Sequence, residues 1–556
     1  MLLNSRLPLD IGPKEVIVAE IILIQPFTGT WDEMSIRHPE GLLAVAALPA
    51  EKGYDVRLID QRVTDNFEEE LDKSVGPETK IVGITAITGQ QIKYALNVTR
   101  IIKEKYPDVP VCWGGVHATL VPEQTVAHPL IDFCIVGDGD LVFCELYERL
   151  RDGKSLEGLR GLLYKETDGE VKSNVGEIEL RPVANNDSYA VIRKNGAADV
   201  IRDLDAMPEL PYHLLPMDRY QVFFTEDGRK SATLNTSRGC PFRCKFCSDP
   251  VLNEGRWRGF SAERVLEKVD FLYENYGVRM IYFQDDYFPG SKRRFIEILE
   301  GLKKYKREVQ WCTLGIRADT LVKLDDEQWD LLYESGCHSL EIGIESGNER
   351  VISMVNKAET LDEMREANRR LAKYDIKVKY TLIVGFPGET EEEINESVQF
   401  AQELERDNPN CYTLFFPFMP IVGTPFYFDS LGEGFSAPKT LEDWEGMDFD
   451  MWTKKYRSWA SPKLTRKLEA INFTSYFHNK NVAYKFGGSA LLRWSFKLYH
   501  PIAKWRFKNQ QFNLFIEDHL KDMLLFAKYW VRRLVQAKKP GTSFDYSQKS
   551  LNASEV

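Results

Sequence analysis

The stretch "SATLNTSRGCPFRCKFCSDP", Ser231 to Pro250, decides the fold. It opens as a short apolar strand and closes as a loop holding three of the nine cysteines: Cys240, Cys244 and Cys247. Five more strand patterns follow, "MIYFQD", "VQWCTL", "HSLEIGI", "VKYTLIV" and "YTLFFPF", with helical patterns between them. Thr360 with Glu363 and Thr390 with Glu393 read as capping boxes, and Asp325 with Gln328 is a similar helix start. Six strand–helix units over 231–425 predict a (β/α)6 partial TIM barrel, whose chemistry belongs at the C-terminal strand ends. The cysteine loop stands at such an end. Thiolates at Cys-x3-Cys-x2-Cys spacing suit an iron–sulfur cluster or zinc. Zinc wants a fourth Cys or His, and none occurs between Cys247 and Cys312. Three thiolates on a four-iron cluster leave one iron open to a ligand. The plain alternative is three unrelated loop cysteines.

Upstream, residues 1–164 carry another alternation. Strand patterns "VIVAEIILIQ", "DVRLID", "KIVGITAIT", "VPVCWGG" and "IDFCIVG" are separated by helical ones such as "GLLAVAALPAEKG". This order predicts a Rossmann-like parallel sheet covered on both faces, with ligands outside the carboxyl ends of the strands. Those ends, "QPFTGT", "ITAITGQ", "WGGVHAT" and "VGDGD", are rich in Gly and Thr. Residues 165–230 read as a linker, with a hairpin around Asp168-Gly169 and a proline-rich "MPELPYHLLP". Residues 426–540 read as mostly helical and 541–556 as a disordered tail.

The chain has 556 residues and a net charge of −12, which argues against a nucleic-acid binder. Its opening, "MLLNSRLPLDIGPKE", lacks the apolar run of a signal peptide, and no window suits a spanning helix. Cysteine usage shows no disulfide framework, so a cytoplasmic setting is expected. Residues 491–540 depart from the acidic average, holding eleven Lys/Arg against Glu517, Asp518 and Asp522. They also carry ten aromatics, among them Trp494, Trp505, Phe507, Phe512, Phe515, Phe526 and Trp530. Three readings fit this segment: a helical cap on the barrel, a peripheral membrane contact, or a nucleic-acid surface that the acidic remainder disfavours.

"CPFRCKFC", with aromatic Phe246 before the last cysteine, resembles the cluster loop of radical S-adenosylmethionine enzymes. The resemblance implies a [4Fe–4S] cluster on Cys240, Cys244 and Cys247, the catalytic cysteines, with S-adenosylmethionine on its open iron. It further implies a 5′-deoxyadenosyl radical that removes hydrogen from an unactivated C–H bond. For S-adenosylmethionine it implies Phe246 in the cluster loop, Asp285 and Asp286 at the amino end, and Arg317 at the carboxylate. Glu345 and Ser346 would meet the ribose, and Gly385 and Gly388 the adenine. The front domain, through "PEGLLAVAA", "GITAIT" and "CWGGVHAT", resembles the cobalamin-binding domain of one large subgroup. That implies cobalamin near Thr85, Thr88, Gly114, Gly115 and His117. The subgroup's frequent Asp-x-His-x-x-Gly motif is missing from "QPFTGTWDEMSIRHPEG", so cobalamin without that lower ligand is expected. A relic domain without cofactor is the alternative. Cys112, Cys134 and Cys144 raise a rival second cluster, as in methylthiotransferases, but sit in apolar strand and helix patterns that suit buried thiols.

The expected function is therefore a cobalamin-dependent radical enzyme, a C-methyltransferase for a hydrophobic or lipid-like small molecule. A reductant such as flavodoxin or ferredoxin is implied. Cyclisation, oxidation or carbon–carbon bond formation without methyl transfer is the alternative chemistry. A non-catalytic cobalamin sensor or scaffold is the alternative of another class.

Overall fold

The structure is a computed structural model and describes residues 18–29, 32, 35–166, 179–182, 189–220, 228–447, 458–486 and 490–513. The expected turn at Asp168-Gly169 and residues 514–556, the tail 541–556 among them, lie outside these residues.

The first sheet has strands β1 (Ile21–Gln25), β2 (Val56–Asp60), β3 (Ile81–Thr85), β4 (Val111–Gly114) and β5 (Phe133–Ile135), all parallel. Their order in space is β2-β1-β3-β4-β5, so the chain reverses direction across the sheet after β2. That reversal opens a crevice at the strand ends. Every side chain of β1 is buried, as a central strand covered on both faces requires.

The segment read as a linker does more than connect. Strands β6 (Leu162–Glu166), β7 (Glu179–Pro182) and β8 (Tyr189–Lys194) extend the first sheet in antiparallel fashion, with Phe133 opposite Tyr164. The proline-rich stretch contains a short 3-10 turn, Tyr212–Leu214, with another at Met217–Arg219. Tyr212, Leu215, Met217 and Tyr220 are buried in the core shared by both sheets. The Tyr220 hydroxyl donates to Asp60 Oδ2 at 2.9 Å. Prolines remove backbone donors, so the apolar residues between them can be buried with few polar groups to satisfy.

The two-residue strands β10 (Ser237–Arg238) and β11 (Arg258–Gly259) form a small ladder beside the second sheet. That sheet contains β9 (Ser231–Leu234), β12 (Met280–Phe283), β13 (Gln310–Ile316), β14 (Cys337–Glu345), β15 (Lys377–Val384) and β16 (Cys411–Pro417). These six strands are parallel and in sequence order, the expected partial barrel. Asp325/Gln328, Thr360/Glu363 and Thr390/Glu393 all form two-way capping boxes, which fix where the following helices begin.

The segment after β16 reaches back to the first domain. Tyr427, Phe435, Leu441, Trp444 and Met447 share a core with Ile92, Ala95 and Leu96 of the helix Gln90–Lys105. Lys93 pairs with Glu445 at 2.8 Å, His128 with Glu442 at 3.3 Å, and the Trp444 indole N–H donates to Gln124. Helix Pro462–Ser475 then packs on β16, and helix Ala490–Lys508 packs on that helix. Among the described residues no helix is long and apolar enough to cross a membrane.

Trp444→Ala empties a buried aromatic site at this return. It is expected to lower stability by about 3 to 5 kcal/mol, read as a shift of the denaturant midpoint. An unchanged midpoint would show that the return segment does not hold the first domain.

Candidate functional site

The cysteine loop is set by what precedes it. Gly239 has φ +82°, and a Cβ there would lie 2.1 Å from the Arg256 carbonyl oxygen, so only glycine makes this turn. The Cys240 N–H then donates to Asp249 Oδ2 at 2.7 Å, and the Asp249 N–H donates to Cys247 Sγ at 3.4 Å. Lys245 N–H donates to the Val355 carbonyl at 2.9 Å, tying the loop to the segment after β14. Asp249 is a functional residue that the cysteine spacing does not mark; the only local signal is "SDP", which starts the short helix Asp249–Leu252.

Among the described residues, no three His, Cys, Asp or Glu side chains converge closely enough for a single metal ion. A four-iron cluster spreads its thiolates over separate irons, which suits three cysteines along one loop. Burial pushes the Cys240 thiol up to about 11 and raises those of Cys244 and Cys247. Iron would supply the compensating charge that lets them ionise.

Cys112, Cys134 and Cys144 are buried apart from this loop. Cys134 Sγ contacts the Ala118 carbonyl at 3.6 Å, and the Cys112 thiol, on the adjacent strand, contacts the Trp113 carbonyl at 3.8 Å. They have the surroundings of inert core thiols.

The two adjacent aspartates at the end of β12 differ. Asp285 is buried and accepts from Thr236 N–H and Oγ1, both at 2.9 Å, and from the Ser237 hydroxyl. It clamps the end of β9, and burial pushes its carboxyl up to about 6. Asp286 is exposed and bonds to Asp249. Loss of water around the Asp249 carboxyl, and the like charge of Asp286 beside it, push Asp249 up to about 7; the inward-turned carboxyl group of Asp286 is raised as well, although the residue keeps an exposed surface.

Arg317 lies 3.6 Å over the Phe242 ring in the cysteine loop. It donates to Asp319 at 2.9 Å and to the Lys357 carbonyl at 2.8 Å. Glu345 has φ +64°, a strained left-handed conformation for a side chain of its size, and pairs with buried Lys357 at 3.2 Å. Lys357 also pairs with Glu359 at 3.1 Å. Ser346, by contrast, is fully buried and shares a hydrogen bond with Ser397 at 2.9 Å. It pins β14 to the helix Glu391–Asp407. Phe246 packs against Phe386 at 5.9 Å between centroids. The Gly385 N–H donates to Glu389 at 2.5 Å, while the Gly388 carbonyl accepts from Arg350 at 2.9 Å. The structure thus gathers Phe246, Asp286, Arg317, Glu345 and Gly385 at one end of the sheet and withdraws Asp285 and Ser346 into its packing.

Two cavities lie between the domains. The larger, about 270 Å³, is lined by Thr85, Gly114 and Gly115 from the first domain and by Asn235, Arg238 and Lys268 from the second. A Cβ on Gly115 would lie 2.8 Å from Thr85 Oγ1 and 2.9 Å from the Ala86 carbonyl. The smaller, about 190 Å³, joins Thr88 and Val116 to Ser248, Ile421 and Trp444. His117 lines neither cavity. It is buried, shares a hydrogen bond with Thr88 Oγ1 at 3.0 Å and packs edge-on against Trp444 at 5.4 Å. Burial lowers its pKa to about 4, which keeps the ring neutral.

Sequence reading missed the groups that join the domains. Glu40, at the start of the helix Glu40–Glu51, lines the larger cavity and accepts from the Asn235 N–H at 2.6 Å. Its Oε1 is buried without a partner, and burial pushes the carboxyl up to about 7. Asp140 takes two hydrogen bonds from Arg238, at 2.9 and 2.7 Å. Asp138 takes one from Arg258, which also donates to Asn253 at 3.0 Å. Asn253 donates to Asp249 at 2.7 Å. A polar chain therefore runs from the "GDGD" loop of the first domain to Cys240. Glu40, Asp138, Asp140, Asn235, Arg238 and Lys268, with the close glycine backbone, set polar groups into a mostly apolar wall. Such a lining fits the apolar base and polar backbone of a corrinoid tail.

The profile of the B12 binding domain matches residues 35–147, and that of the Radical SAM superfamily matches 234–401. An uncharacterized methyltransferase of Pyrococcus horikoshii is 32% identical over 81% of this chain and 91% of its own length. An anaerobic magnesium-protoporphyrin IX monomethyl ester cyclase of Rubrivivax gelatinosus is 24% identical over 81% of this chain and 75% of its own. Among solved structures, the radical S-adenosylmethionine methyltransferase TsrM of Kitasatospora setae, with cobalamin and [4Fe–4S] cluster bound, superposes with a TM-score of 0.59. That match has 17% identity, covers 78% of this chain and 82% of the other, and is a likeness of fold.

Glu40 yields a pH prediction. Its folded pKa of about 7 lies above the ordinary 4.5, so the folded state holds the extra proton between these values. Its contribution to stability is therefore lost as pH rises through that window and stays lost above it. Glu40→Gln should be more stable than the parent at pH 8 by up to about 3 kcal/mol, and about equal to it near pH 4. The check is the difference between the two denaturation curves at each pH. A difference independent of pH would sink the assignment.

Proposed function

This chain belongs to the radical S-adenosylmethionine superfamily, in the family that carries a B12 binding domain, and on that premise we propose that it methylates an unactivated carbon of a hydrophobic small molecule. One observation carries the reading. The cysteine loop at the end of β9 is joined by direct side-chain hydrogen bonds to the strand-end loop of the first domain.

Cys240, Cys244 and Cys247 would hold the cluster. Asp286 offers a carboxylate to the amino group of S-adenosylmethionine, and Arg317 offers a guanidinium to its carboxylate. Glu345 would meet the ribose, and Gly385 and Gly388 the adenine. Thr85, Thr88, Gly114 and Gly115 would meet cobalamin, with His117 supporting Thr88 from inside. When bound, the cluster and S-adenosylmethionine supply a 5′-deoxyadenosyl radical, and cobalamin supplies the methyl group. The residues of this chain position these groups and exclude water. The Phe246–Phe386 contact walls one side of the loop with apolar surface. The buried Glu345–Lys357–Glu359 set holds its charges in place before any ligand arrives.

The smaller cavity supports a hydrophobic, lipid-like substrate. Ile87, Val116, Leu120, Met419, Ile421 and Val422 line it, beside Ser248 and therefore next to Cys247. A low-potential reductant such as flavodoxin or ferredoxin would deliver the electron. Radical cyclisation without methyl transfer is the second reading, favoured by the similarity to a cyclase at 24% identity.

Anaerobically reconstituted protein with S-adenosylmethionine, cobalamin and reductant should release 5′-deoxyadenosine and add one CH₂ unit to its substrate. Cys244→Ser should abolish 5′-deoxyadenosine release and lower bound iron. Product of unchanged carbon count would decide for cyclisation or oxidation. Absence of 5′-deoxyadenosine from iron-replete protein would refute the radical chemistry itself.

A further inference from the structure

The helix Ala490–Lys508 is packed on one face and apolar on the opposite one. Phe496, Ala503 and Phe507 are buried. Phe496 stacks on Phe477 at 5.9 Å, and Phe507 meets Phe415 of β16 at 5.6 Å. The Phe507 carbonyl accepts from Gln402 at 2.7 Å, which fastens the helix end to the barrel. These contacts fix which way the helix faces.

Trp494, Leu498, Ile502 and Trp505 are 60, 56, 52 and 59% exposed. At about 100° per residue they fall within an arc of about 80° on the side away from the barrel. Exposed large apolar residues are ordinarily scattered; four aligned on one helix, two of them Trp, mark an interaction surface. Lys497, Lys504 and Lys508 are exposed along one flank of that stripe. The described segment 490–513 contains five Lys/Arg and no Asp or Glu, in a chain whose net charge is −12.

We propose that this helix docks in the plane of an anionic lipid surface, with Trp494, Leu498, Ile502 and Trp505 in the interface and Lys497, Lys504 and Lys508 against the headgroups. The charge pattern selects this occupant. An acidic chain that places a purely basic segment around its exposed aromatic stripe is complementary to a negative surface. Trp suits the site because its ring sits at the boundary between headgroup and acyl chain. The helix presents its apolar stripe without rearrangement, since its other face is already packed. This inference stands independently of the chemistry proposed above, and it would deliver a hydrophobic substrate to the enzyme from the lipid phase.

The test is flotation of the full-length protein with vesicles of phosphatidylcholine, alone or with phosphatidylglycerol. The protein should float with the anionic vesicles, and added salt should release it. A fourfold variant, Trp494→Ala, Leu498→Ala, Ile502→Ala and Trp505→Ala, should lose binding by at least about tenfold while keeping its melting temperature. Lys497→Glu, Lys504→Glu and Lys508→Glu together should abolish preference for the anionic vesicles. Four results would overturn the proposal. The first is no flotation of the parent, and the second is equal flotation with both vesicles. The third is a concentration-dependent dimer lost in the fourfold variant, which would make a second copy the occupant. Flotation that appears only after residues 514–556 are removed would likewise overturn it, by making the chain's own tail the cover.

Discussion

The arrangement depends on two arginines of the barrel reaching two aspartates of the front domain. Arg238 and Arg258 belong to the short ladder on either side of the cysteine loop, Asp138 to the loop after β5, and Asp140 to the first turn of the helix Gly139–Arg151 that follows. Removing one partner of such a set leaves a charge without its counterpart, which costs more than the pair contributes when intact. Arg238 stands two residues before Cys240, so the same contact that joins the domains sets the entry to the cluster loop. Arg258 continues the connection through Asn253 and Asp249 to the Cys240 N–H. The relative position of the two domains is therefore fixed by side chains and not by the length of the connector.

Below the loop lies a buried group of charges: Arg317, Asp319, Glu345, Lys357 and Glu359. It is linked through Phe242 and Lys245 to the loop itself. A buried charge network of this kind is weak evidence for stability, but it orients polar groups ahead of ligand binding. The left-handed backbone at Glu345 belongs to the same pattern, since strain at a non-glycine residue persists where its surroundings over-determine it.

Local signals in the sequence read well. All six barrel strands, the five parallel strands of the first sheet and three helix starts follow from period, turn residues and capping pairs close together in the chain. Long-range choices did not. Asp285 and Asp286 are adjacent and chemically alike, yet Thr236 and Ser237, about fifty residues earlier, draw one into the packing. Ser346 looked available for a ligand until Ser397 on a neighbouring helix took its hydroxyl. Glu40 opens a helix that reads as apolar, and only the backbone of Asn235 makes its carboxylate meaningful. The connector reads as a loose linker because prolines report backbone and not what the side chains between them bury. In each case the deciding partner lies far along the chain, where no local period records it.

The return of residues 425–447 to the first domain has a consequence for how this protein is made. Lys93 meets its partner Glu445 across 352 positions of sequence. The helix Gln90–Lys105 leaves the ribosome early, but the apolar surface that covers its side near Trp444 is synthesised only after the whole barrel. Until then the growing chain carries an open hydrophobic flank of the sort that recruits chaperones or sticks to a neighbour. The front domain therefore cannot finish folding in the order of its synthesis. Its final packing waits for the far end of the barrel, so a ribosome stalled before residue 425 would leave that flank uncovered.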